Sequence, residues 1–183
     1  MSRLKTIDPS QAPEPVKQIF EGPLKGKHFN IFKCMANSPA ALKAYLGMAG
    51  ALAEGVLTPA EREIVQLVVG EANGCEYCVS AHSALARQAG LSDEQIAAAR
   101  RGAPELGDPK LDALVRFTTA LVEKKGWVSD EDVQQLRGAG YDDEHICEIV
   151  ANFALATYTN VFNHVNQTEV DFPKAPALQG AGA

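Results

Sequence analysis

Four side chains that together can move protons and electrons stand in one short stretch, Glu63, Cys75, Cys78 and His82, in the order Glu-x11-Cys-x2-Cys-x3-His. Two thiols at this spacing can close into a disulfide and be reopened, and the thiolate is the form that attacks. An imidazole is a base near neutral pH, and a carboxylate beside it fixes its tautomer. The same cysteine pair could also be half of a zinc site, which needs two further ligands. His82 would supply one, and Cys147, His145 or His164 the other, yet no second close pair gives the usual spacing. That favours redox chemistry over a metal. A thioredoxin-like motif requires a βαβ setting, and no strand pattern surrounds this pair.

The chemistry depends on the elements that carry it. The run from Cys75 to Ala89 has neither Pro nor Gly and stops at Gly90, so it reads as one helix. At about 100° per residue, Cys75, Cys78 and His82 fall within about 60° on one face. With Asn73 or Gly74 as the N-cap, both sulfurs lie in the first turn, where free N–H groups and the helix dipole favour a thiolate. Upstream, Thr58-Pro59-Ala60-Glu61 is a capping box with Pro at the first helical position, opening a helix to about Glu71. An antiparallel hairpin centred near Asn73 puts Glu63 about ten residues before the turn and His82 about nine after it, hence at one level. Taken alone, Glu63 would read as an exposed carboxylate near a helix start, and only the hairpin gives it a partner. Glu71 is its local rival, and Glu76 lies about 100° off the cysteine face.

This pattern resembles the alkylhydroperoxidase D core of the carboxymuconolactone decarboxylase superfamily, closely over Thr58 to Gly90 and more weakly along the following helices. The resemblance implies an all-α fold and a peroxidase that reduces hydrogen peroxide or organic hydroperoxides without a cofactor. It makes Cys78 the peroxidatic cysteine, Cys75 the resolving one, His82 the base and Glu63 its partner. It further implies an external dithiol reductant and a homotrimer or homohexamer. Some members carry a histidine just before the second cysteine, where this chain has Tyr77. Two other readings stay open: a cofactor-free decarboxylase of lactone-type acids, whose members commonly lack the CxxC pair, and a non-enzymatic redox sensor with the disulfide as its switch.

The remaining sequence reads as scaffold. Residues 1–30, broken by Pro9, Pro13, Pro15 and Pro23, form an arm with one short helix near Glu14 to Phe20. Residues 31–170 form the all-helical domain, with six to eight helices about the hairpin. Ser38-Pro39, Ser92, Asp108-Pro109, Ser129 and Asp142 mark helix starts. Residues 171–183, rich in Pro, Ala and Gly, form an extended or mobile tail. Cys34 reads as a small buried hydrophobe. Aromatics on the last helix read as core or subunit interface, with Asn160 and His164 as the residues nearest to a supporting role, whereas His28 and His145 have no such company.

At 183 residues the chain can bury a core as a single domain. A net charge of −6 speaks against nucleic acid or anionic lipid as a partner. Four cysteines with one close pair suit a redox motif in a reducing compartment, so the cytoplasm is expected. Met1 to Thr6 has two basic residues but no apolar stretch follows, and no run is long enough to span a membrane.

Overall fold

The computed structural model describes residues 2–178, which form nine α-helices and one short 3-10 turn, with no strand among the described residues. Helix α4 (Pro59–Ala72) is the axis of the molecule and packs against α5 (Glu76–Gln88), α6 (Asp93–Arg100), α7 (Pro109–Glu123) and α9 (Asp143–Asn166). Its sequence explains this position, because Ile64, Val65, Leu67, Val68 and Val69 face several directions and all are buried. The capping box is complete: Thr58 Oγ1 accepts from Glu61 N–H, and Glu61 Oε2 accepts from Thr58 N–H at 2.8 Å.

Glu61 also reaches into the core, where it is 2 % exposed and its Oε1 accepts from Tyr141 Oη at 2.9 Å and pairs with Lys110 Nζ at 3.0 Å. Burial pushes the Glu61 carboxyl up, but the hydrogen bonds from Thr58, Lys110 and Tyr141 outweigh it and hold the group below the usual carboxylate range. One carboxylate thus ties the start of α4 to α7 and to the loop before α9. Glu148 on α9 does similar work one loop earlier, accepting from Val56 N–H at 2.8 Å and Leu57 N–H at 3.0 Å.

A second apolar cluster surrounds the cysteine pair. It joins Val16, Ile19 and Phe20 of α1 (Val16–Glu21), Leu24, and Phe32 and Met35 of α2 (Asn30–Met35) to Leu42 of α3 (Pro39–Ala53), Cys75, Tyr77 and Cys78. The first thirty residues, expected to be an arm, therefore furnish core. Frequent prolines shorten the helices there without preventing Val16, Ile19 and Phe20 from presenting one buried face.

Residues 171–178, from the expected tail, have no helix yet bear several bonds. Asp171 accepts from Tyr77 Oη at 2.8 Å and from Asn30 N–H at 2.7 Å, Phe172 packs on Phe29 and Tyr77, and Arg100 donates to the Pro176 carbonyl at 2.7 Å. Residues 179–183 of that tail lie outside the described residues. No described helix is long and apolar enough to cross a membrane.

Candidate active site

The chain reverses between α4 and α5 over Asn73, Gly74 and Cys75. Gly74 has φ +66°, the left-handed conformation that only glycine takes without strain, and Cys75 N–H then donates to the Gly70 carbonyl at 2.9 Å. The N-cap of α5 is Cys75, rather than the expected Asn73 or Gly74, because Gly74 is used to close α4. The Cys75 sulfur serves as the capping acceptor, 3.3 Å from Cys78 N. Gly70 lies against Cys78 and Val79 while Glu63 reaches His82, so the contacts run antiparallel down the pair.

Cys75 and Cys78 are joined as a disulfide with Cα atoms 5.3 Å apart, and each is 2 % exposed. Among the described residues Cys34 and Cys147 are free, the first buried and the second at the surface. No three His, Cys, Asp or Glu side chains converge as a metal-binding group among the described residues.

Glu63 and His82 meet as their equal distances from the turn require: His82 Nδ1 lies 2.7 Å from Glu63 Oε2, with both side chains only partly exposed. A carboxylate accepts, so Nδ1 carries the hydrogen, and in the neutral imidazole the lone pair is on Nε2. Tyr45 of α3 feels the same carboxylate. Burial, and then the Glu63 charge, push its hydroxyl up to about 12. The rival Glu71 is engaged elsewhere, 2.8 Å from the Arg100 guanidinium.

Sequence reasoning missed Asn163. Its Nδ2 donates to Cys78 Sγ at 3.3 Å from the buried side of α9. Asn160, one turn earlier, is also buried, and its Oδ1 accepts from Asn73 Nδ2 at 2.9 Å, which pins the turn rather than the sulfurs. His164 is exposed, because one residue of helix rotates it about 100° away from Asn163. Asn152, Thr159, Asn160, Asn163 and Asn166 all lie buried on α9, and that polar stripe on a core-facing helix was the available signal. Tyr77 ties elements together, since its hydroxyl donates to Asp171 and accepts from Ile31 N–H at 3.3 Å, and burial pushes its pKa up.

A surface pocket of about 200 Å³ opens beside the turn, lined by Glu71, Cys75, Val79, Ser80, Arg100 and Ala175 among others. A larger cleft of about 380 Å³ between α7 and α8 (Asp130–Gly138) shares no lining residue with it and contains neither cysteine nor histidine.

Residues 39–120, which span α3 to α7 and all four motif residues, match the model of the carboxymuconolactone decarboxylase family. The chain is similar in structure to an alkylhydroperoxidase AhpD core, an uncharacterized peroxidase-related protein from Ralstonia eutropha JMP134, with a TM-score of 0.83 at 24% identity over 93% of this chain and 92% of that one. A peroxidase-related protein from Silicibacter sp. TM1040 gives a TM-score of 0.77 at 24% identity, over 91% and 89%. The debrominase Bmp8, solved in complex with 2,3,4-tribromopyrrole, gives 0.74 at 20% identity, over 93% and 92%. No protein of curated function matches. The family match thus lies on residues 39–120, and the chain shares the all-helical fold of these alkylhydroperoxidase D-like structures.

Proposed function

We propose that the protein is a thiol-dependent peroxidase acting on hydrogen peroxide or organic hydroperoxides through Cys78. The observation that carries this reading is the Glu63–His82 hydrogen bond set one helical turn from a buried, disulfide-forming cysteine pair. In the reduced protein, His82 Nε2 takes the proton of Cys78. The thiolate attacks one peroxide oxygen and the O–O bond breaks. Its electron pair leaves on the other oxygen, which takes the proton from His82 and departs as water or an alcohol. Cys75 then attacks the Cys78 sulfenic acid, expels water and closes the disulfide. An external dithiol reopens it, which suits a reducing compartment such as the cytoplasm.

The kinship with a tribromopyrrole-binding debrominase makes a carbon–bromine bond the rival electrophile for the same thiolate. The test is turnover of hydrogen peroxide, cumene hydroperoxide and 2,3,4-tribromopyrrole with dithiothreitol as donor. The expected result is peroxide loss that disappears in Cys78→Ser. Bromide release without peroxide loss would move the activity to the rival, and a single disulfide-forming turnover would leave only a sensor.

Self-association, as a homotrimer or homohexamer, is part of this reading. Helix α3 has Lys43 as its single charged residue, yet of its 15 residues only Leu42 and Leu52 are buried. A helix apolar on every side needs cover. On α9, Val150, Val161 and Val165 are likewise exposed. A second copy of the chain would cover both helices, and light scattering gives the subunit number.

A further inference from the structure

The two sulfurs of the disulfide differ in what surrounds them. Cys75 lines the surface pocket with Glu71, Ser80, Arg100 and Ala175, whereas Cys78 is absent from that lining and is met from the core side by Asn163 Nδ2 at 3.3 Å. Asn163 is 4 % exposed, and its Oδ1 has no partner among the described residues, so its amide is held in place by its bond to sulfur and by packing. Each sulfur has a donor available, since Cys75 Sγ accepts the backbone N–H of Cys78. The two cysteines are equally buried, so the pocket wall beside Cys75 and the Asn163 amide on Cys78 are what separate them.

Thiol–disulfide exchange proceeds by attack of a thiolate on one sulfur, with the other departing as a thiolate. A hydrogen bond to an ionised acceptor is roughly twice as strong as one to a neutral acceptor. We infer that the external reductant enters through the pocket and attacks Cys75, and that Asn163 is a positioning residue that holds Cys78 as the leaving thiolate. The new bond forms between the reductant sulfur and Cys75 Sγ. The Cys75–Cys78 bond breaks with its electron pair on Cys78, where the Asn163 N–H awaits it. The second thiol of the reductant then attacks the mixed disulfide at the reductant's own sulfur, so the reductant leaves oxidised. Cys75 departs as a thiolate, and the reductant's two protons are left to the cysteine pair and solvent. The inference rests on the cysteine pair turning over by thiol exchange, as proposed above, and is indifferent to which electrophile oxidises it.

Two experiments without peroxide test it. In the first, the oxidised full-length protein is treated with glutathione, quenched in acid, capped with N-ethylmaleimide and cleaved after Glu76, which separates the two cysteines. Glutathione on Cys75 with maleimide on Cys78 is expected, and the reverse pattern would overturn the direction of attack. In the second, Asn163→Leu and Asn163→Asp are compared with wild type for the rate of disulfide opening by dithiothreitol. The pH profile of Cys78 alkylation is then measured for both in a Cys75→Ser background. Losing the donor should slow opening by roughly ten- to a hundredfold and move the profile upward by about one pH unit or more. A profile unmoved in a folded variant of either kind would remove Asn163 from this role. Loss of peroxide turnover alone leaves both readouts intact, so failure of the peroxidase reading is told apart from failure of this one.

Discussion

Glu63 Oε2 lies 2.7 Å from His82 Nδ1, a contact between adjacent helices that leaves the other imidazole nitrogen free to take a proton. His82 follows Cys78 by one turn of α5, so its Cβ is about 5–6 Å from that of the cysteine. The proposed relay takes these three groups in order: carboxylate, imidazole, thiol.

Removing the relay should slow peroxide attack at neutral pH by about 10²- to 10⁴-fold in His82→Ala, and less in Glu63→Gln. Raising the pH towards the free-thiol value of about 8.5 should recover much of the His82→Ala rate, because hydroxide then does what the imidazole did. A stopped-flow pH profile of the wild type and both variants measures this. Superimposable profiles would mean that the helix N-terminus alone activates Cys78.

Acid stability should depend on Glu61. Its carboxyl is held below the usual range in the folded protein, so it contributes stability that is full above the unfolded pKa and is lost as pH falls through the folded one. Glu61→Gln should cost about 1–3 kcal/mol at pH 7 and flatten the acid limb of the stability curve. Urea unfolding at pH 7 and at intervals down to about pH 3 reads both effects. An equally steep acid limb in the variant would place the acid sensitivity elsewhere.

Tyr77→Phe removes a donor to Asp171 and the acceptor of Ile31 N–H, and should destabilise the protein by about 1–2 kcal/mol. Its effect on the alkylation rate of Cys78 should stay within about threefold, since its hydroxyl is bonded to Asp171 and α2. Urea titration and iodoacetamide kinetics separate the two. A tenfold change in thiol reactivity would give Tyr77 a part in tuning the sulfur.

Gly70 sets how closely α4 approaches α5. A Cβ there would sit 3.3 Å from Val79 Cγ2 and 3.7 Å from Cys78 Cβ. Gly70→Ala gains about 1 kcal/mol of helix propensity and loses a similar amount to crowding, so thermal unfolding should show little change. Gly70→Leu should cost about 1–3 kcal/mol or more and spread the pair. A Leu variant as stable as wild type would show that α5 yields freely.

The hairpin was legible because its signals are local. Thr58, Pro59 and Glu61 mark one start, Gly74 and Gly90 mark ends, and equal rise on two helices brings Glu63 to His82 by arithmetic. Asn163 was not legible, because it lies 85 residues from Cys78 in sequence and reaches it only through the packing of α9. The part played by Val16, Ile19 and Phe20 was hidden by prolines that shorten helices without abolishing buried faces. The hold of Asp171 on Tyr77 was equally hidden, since the composition of residues 171–183 describes a chain with no core of its own and is silent on a surface that receives it.

The most direct measurement is a sulfenic-acid trap on reduced Cys75→Ser protein after one equivalent of hydrogen peroxide, read by peptide mapping. Without its resolving partner, Cys78 should retain the sulfenic acid and take the label within the time of the stopped-flow reaction. Label confined to the buried Cys34 or the surface Cys147, with Cys78 still a free thiol, would contradict the assignment of Cys78 as the residue that meets the peroxide.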